Sequence, residues 1–201
     1  MHNNQQISCT RCGTCCKKNS PALHLQDLAL IKDSYIPKNK LITYRKGEWL
    51  YDNVSDTHIK LTQDIIKPIT HLNCIFYQKE LHSCAIYDYR PQECKIQLCT
   101  DPEPLKKMYK HNRLSRSDIY AHSNPLYELI LFHENKCCLD DLPQSSSDLT
   151  EKLHARFQEM IQFEYHFRFT LYQKTGMQAN DMNFLLGRPV DQLLKQLGIT
   201  L

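Results

Sequence analysis

Between Leu25 and Pro37 the apolar positions Leu25, Leu28, Ala29 and Ile31 recur at helical spacing, which predicts a short helix that Pro37 ends. From Leu41 to Tyr77 the period changes. Short β-branched and aromatic pieces, Leu41-Ile-Thr-Tyr44, Ile65-Ile66 and Ile75-Phe-Tyr77, are separated by polar residues and Pro68 and predict short strands. The stretch Gln78 to Ser83 then turns the chain back toward Cys84-Ala-Ile-Tyr87, a hairpin that brings Cys74 and Cys84 together. Pro91 suits the first turn of a helix carrying Cys94.

Two prolines in Asp101-Pro-Glu-Pro104 break the periodicity, and the pattern beyond them is helical. Helices are expected near 105–114 and 125–135, then a polar linker at 140–147 whose Pro143-Gln-Ser-Ser-Ser147 cannot pack, then a long helix over about 148–175. On that helix Leu149, Leu153, Phe157, Met160, Phe167 and Leu171 share one face, and the same arithmetic puts Glu164 inside the apolar stripe, with Arg168 four residues on to pair with it. Residues 183–194 form a shorter amphipathic helix interrupted by Gly187-Arg-Pro189. The fold class is therefore helix-rich α+β: a small cysteine-cluster metal-binding domain, 1–102, followed by a mainly α-helical region, 103–201.

Composition narrows the chemistry. With 201 residues, 41% hydrophobic and 23% charged, the chain has the makeup of a globular protein, and no apolar run approaches the ~18 residues of a spanning helix. MHNNQQISCTRCG reads as no secretory signal, so the cytoplasm is expected, where ten cysteines point to metal or redox chemistry before disulfides. A formal charge of +3 is too mild to imply a nucleic-acid partner. The densest basic run, Lys106, Lys107, Lys110, Arg113 and Arg116, reads as a solvated helical surface. The five glycines are too scattered for a dinucleotide fingerprint, a triphosphate loop or a nucleophile elbow.

Cys9-Thr-Arg-Cys12-Gly-Thr-Cys15-Cys16 is the sharpest signal. Two successive C-x-x-C steps let the backbone wrap round one centre, and Gly13 permits the positive φ such a turn needs. Soft thiolates suit both zinc and iron–sulfur clusters, and the Cys9, Cys12, Cys15 spacing is that of a ferredoxin-type 4Fe-4S run. Neighbouring side chains diverge, so one of Cys15 and Cys16 is expected to serve a second metal atom or to stand behind the ligands. A second group, Cys74, Cys84, Cys94 and Cys99, completes the candidate metal-ligand set. His71 and His82 flank it, and Cys137 and Cys138 are either buried small side chains or ligands. His133-Glu134-Asn-Lys-Cys137 has the His-Glu start of a zinc-binding helix without its second histidine.

The CxxCxxCC run followed by Cys84-x-Ile-Tyr-x-x-Arg-Pro-x-x-Cys94 resembles the YkgJ-like CxxCxxCC cysteine-cluster family, whose members are described as zinc- or iron-chelating domain proteins. The resemblance covers residues 9 to 99. It implies that Cys9, Cys12, Cys15 and Cys16 join Cys84 and Cys94 at the site, with Cys74 opening a segment that reads Cys74-Ile-Phe-Tyr77 where the family has C-P-F-L. Tyr87, Arg90 and Pro91 match its I-Y-x-x-R-P, and Arg90 is placed to bind the cofactor by neutralising part of its thiolate charge. The alternative for Arg90 is a surface pair with Asp88 or Glu93.

The expected cofactor is an iron–sulfur cluster, or else zinc, working in redox, metal handling or fold support. Two alternatives stand beside it. Flagellin lysine methylases carry a similar cluster, which implies a protein-modifying enzyme, although no methyl-donor loop is visible here. A structural zinc module could instead dock a protein partner through Phe163, Tyr165 and Phe169. No membrane partner is expected.

Overall fold

Gly13, at a positive φ of 73°, precedes α1 (Thr14–Lys18), the short helix that carries Cys15 and Cys16. The computed structural model describes residues 12–70 and 72–201. A 3-10 turn at Leu25–Asp27 runs into α2 (Leu28–Lys32), the helix expected before Pro37. Then come β1 (Leu41–Tyr44), β2 (Trp49–Asp52), β3 (Thr57–Lys60) and β4 (Ile65–Pro68). β1 pairs antiparallel with β4, Leu41 opposite Pro68, and the β2–β3 hairpin lies between them in the chain. β5 (Tyr77–Gln78) and β6 (Ser83–Cys84) close a two-residue ladder with Tyr77 opposite Cys84, the hairpin the sequence predicts, and α3 (Gln92–Ile96) follows Pro91.

Beyond residue 100 the fold is helical: α4 (Glu103–Met108), α5 (Arg116–Ile119), α6 (Pro125–Lys136), α7 (Glu151–Thr175), α8 (Ala179–Leu185) and α9 (Val190–Gln196). α7 is capped at its start by the Thr150 side chain, which accepts from Leu153 N–H, and stopped by Gly176 in the left-handed conformation. Its inward face buries Phe157, Met160 and Glu164. The helix-rich α+β class thus holds, and among the described residues no helix is long and apolar enough to cross a membrane.

Two large apolar clusters organise the described residues, beside a smaller one of Ala22, Leu61 and Ile65. One is centred on the second half: Phe157 and Met160 of α7 pack with Leu139, Leu142, Val190, Leu193 and Leu194, and Trp49 of β2 packs against them. The other joins the halves, since Leu41 of β1 and Ile66 of β4 pack with Met182, Phe184 and Leu185 of α8. Thr43 reinforces that junction by donating its hydroxyl to the Phe184 carbonyl at 2.6 Å.

Two expectations need correction. The 140–147 segment does pack: Leu142 and Pro143 are buried, and Trp49 Nε1 and Lys60 Nζ donate to the Leu142 carbonyl, pinning the segment to the β2–β3 hairpin. The basic run is not one solvated helical face. α4 ends at Met108, and Arg116 is buried with its guanidinium paired to Asp64 at 2.7 Å and Glu134 at 2.7 Å. Two carboxylates and the Leu185 carbonyl satisfy that charge, so its burial is compensated in a way that composition cannot reveal.

Candidate metal centre

Four separate stretches converge on one cavity of about 580 Å³. Its lining includes Cys15 and Cys16 from α1, Cys74, Cys84 from β6 and Cys94 from α3. Local hydrogen bonds fix each stretch. Cys74 N–H donates to the Cys16 carbonyl at 2.8 Å, joining the two cysteine groups through the backbone. The β5–β6 ladder sets Cys84 opposite Tyr77. A Cβ on Gly13 would come within 2.5 Å of the Tyr77 ring, so the glycine serves both the turn and this close approach.

α3 is held from outside by two carboxylates. Asp27 accepts from Gln92 N–H at 2.9 Å, at the helix start. Glu93 accepts from Ala22 N–H at 2.7 Å through one oxygen and contacts His24 Nε2 at 3.1 Å through the other. His24 is fully buried and its Nδ1 contacts the His111 carbonyl at 2.8 Å. Asp27, Glu93 and His24 thereby position Cys94, a role the sequence reading does not assign them. The only hint was local: the His24-x-x-Asp27 spacing closes a capping box.

The cavity thiols feel one another. The Cys15 and Cys16 sulfurs lie 4.0 Å apart despite being sequence neighbours. Hydrogen bonding from Cys16 brings the Cys15 thiol down to about 6, and the same contact holds Cys16 protonated well above the usual thiol range. Burial raises Cys74, Cys84 and Cys94, and the negative charge of neighbouring thiolates adds to each rise. Several sulfurs that resist ionising together are the donor set a thiophilic cation relieves, because bound metal replaces their protons. None of Cys15, Cys16, Cys74, Cys84, Cys94, Cys137 and Cys138 forms a disulfide. The residues therefore fit zinc or iron.

Positive groups line the same cavity. Arg90 donates from Nη1 to the Tyr87 carbonyl at 3.0 Å, its guanidinium lies 3.9 Å from the Tyr87 ring centroid, and its charge acts to lower Cys84. No ion pair of Arg90 with Asp88 or Glu93 occurs among the described residues. Lys67 and Arg113 also contribute to the wall, as do His82 and Tyr77, whose Nδ1 and hydroxyl are 3.3 Å apart. Cys12 is exposed near Thr14, and Cys99 is exposed; neither belongs to the cavity lining. Cys9 and His71 lie outside the described residues.

The donor set and its setting suit a metal-binding protein. The family described as "CxxCxxCC: Putative zinc- or iron-chelating domain" matches residues 8–115, more than half of the chain, and the protein belongs to that family. No curated protein and no solved structure matches it.

Proposed function

We propose that the cavity cysteines Cys15, Cys16, Cys74, Cys84 and Cys94, joined by Cys9 and Cys12 of the same motif, hold an iron–sulfur cluster used in electron transfer or metal handling. The observation that carries this reading is the meeting of five thiols from four chain segments on one cavity wall. One zinc ion and one iron–sulfur cluster each take at most four thiolates, so the surplus itself points to further ligands or a second metal atom; the C-x-x-C-x-x-C spacing of Cys9, Cys12 and Cys15 is what favours the cluster. Arg90, Lys67 and Arg113 offset the negative charge such a centre brings, and Cys99, which like Cys12 is exposed and outside the wall, stays in the proposed set beside Cys12. Anaerobic purification with metal and sulfide analysis and a visible spectrum tests it. A brown protein with iron and acid-labile sulfide is expected; a colourless one with stoichiometric zinc overturns the cluster and leaves a zinc site.

A protein-docking role for α7 is a second reading with its own observation. Tyr165 is 68% and Phe169 52% exposed, and their rings stack with centroids 6.5 Å apart, while Phe163 turns inward toward Phe132 and Phe167. Two large exposed aromatics four residues apart form a compact apolar spot. Replacing both by serine should leave the denaturation midpoint unchanged and abolish any partner binding seen with the native chain.

A further inference from the structure

A second group of metal-binding side chains lies outside residues 8–115. His133, near the end of α6, and Cys137, which caps that helix, are four residues apart and face the middle of α7, where Glu164 sits. A ring nitrogen of His133, the Cys137 sulfur and a Glu164 carboxylate oxygen all lie within 4.8 Å of one another. His133 and Cys137 are fully buried, and Glu164 nearly so. Thiol, imidazole and carboxylate together resemble a nucleophile, a base and its orienter, but complete burial denies access to any substrate. A metal ion needs no such access once bound.

We propose that His133, Cys137 and Glu164 form a second metal site, buried between α6 and α7, for a divalent ion of the zinc class. One thiolate, one imidazole and one carboxylate are a borderline-soft donor set that zinc accepts. Its bond lengths of about 2.0–2.3 Å set donor atoms about 3.5 Å apart in a tetrahedron, so no pair must close by more than about 1.3 Å, and the His133–Glu164 contact at 2.9 Å opens slightly. Glu164 is already aimed: Arg168 Nη2 donates to Oε1 at 2.9 Å and Val190 N–H to Oε2 at 2.6 Å. His133 Nε2 contacts Oε1 at 2.9 Å, while Nδ1 is buried with no partner among the described residues. An imidazole engaged on one side only can turn either nitrogen to an ion.

Binding displaces the Cys137 thiol proton to solvent, which adds one negative charge to the site, while Glu164 shares its charge between the ion and Arg168, and Arg45 donates from Nη1 to the Cys137 carbonyl at 3.0 Å. Of the nearby arginines, Arg45 stands 3.7 Å from Glu134, and Arg168 also donates to the Gly187 carbonyl. The site would pin the end of α6 to α7 and so would be structural, independent of the cysteine cavity.

The test uses the full chain with its first centre loaded, exposed to excess zinc and then dialysed against metal-free buffer. Zinc per chain is counted for the wild type, Cys137→Ser and His133→Gln, and the zinc X-ray absorption spectrum is recorded. The wild type should retain one zinc more than either variant, with imidazole scattering that His133→Gln loses and with the first centre's content unchanged. Equal zinc counts in all three overturn the proposal. So does a wild-type zinc shell without imidazole, a readout that stands even where a variant fails to fold.

Discussion

Around the cysteine cavity the ordered elements are short: α1 and α3 have five residues each, and β5 pairs with β6 over two, whereas α7 runs for 25. A helix of five residues or a two-residue ladder has no stability of its own in water. α7 is a long amphipathic helix whose fully buried Phe157 is packed by α9 and the 139–142 segment. The cavity walls depend more on polar tethers, the Asp27 and Glu93 carboxylates and the Cys74–Cys16 backbone bond, around sulfurs that repel when ionised, with Phe76 and Ile86 as their links to the main core. One region is organised by a large apolar cluster; the other combines polar tethers with the smaller cluster of Ala22, Leu61 and Ile65, and is the region a bound metal would tie together.

Removing the metal should break this comparison most strongly. A thiolate site can contribute about 10–16 kcal/mol, as much as a whole domain's stability. After chelation, proteases should cut within residues 70–100 while α6 to α9 persist, because β1 and β4 stay packed on α8. A cleavage pattern identical with and without metal would place the stability of both regions in packing. Phe157→Ala is the converse perturbation: about 3–5 kcal/mol lost from the helical half, read from the denaturation midpoint, with metal content untouched.

Glu93→Ala probes the tethers. It leaves the Ala22 amide and His24 without their carboxylate, costing about 1–3 kcal/mol, and should weaken metal retention against a competing chelator by about tenfold or more as Cys94 loses its position. The smallest effect concerns Asp52, which also lines the cavity. Burial alone would raise its carboxyl, but hydrogen bonds from Val54 N–H, Ser55 and Tyr109 outweigh it and hold it below the usual range. A lowered carboxylate contributes stability above its unfolded value, near pH 4, and loses it as pH falls further. Wild type should therefore exceed Asp52→Asn in midpoint at pH 6, and the gap should shrink as pH falls below about 4.

Much of this was legible from spacing. Pro91 and the Gly187-Arg-Pro189 break mark real element boundaries, β1 lies where Leu41-Ile-Thr-Tyr44 predicts it, and the turn after Tyr77 faces it with Cys84, whereas α2 stops at Lys32, before Pro37. Glu164 within the α7 stripe does pair with Arg168. The β2–β3 hairpin was harder to see, because Trp49-Leu-Tyr-Asp52 buries side chains without alternation. The burial of Arg116 and the tethering of α3 by Glu93 depend on partners 18 to 71 positions away, which no local pattern encodes.

The most direct test of the central claim, that the cavity cysteines hold one centre, is metal content per chain in Cys84→Ser beside Cys138→Ser, both checked for native helical circular dichroism. The account predicts that the first loses the centre and the second keeps it. Full metal content in Cys84→Ser, or equal loss in both, would contradict it.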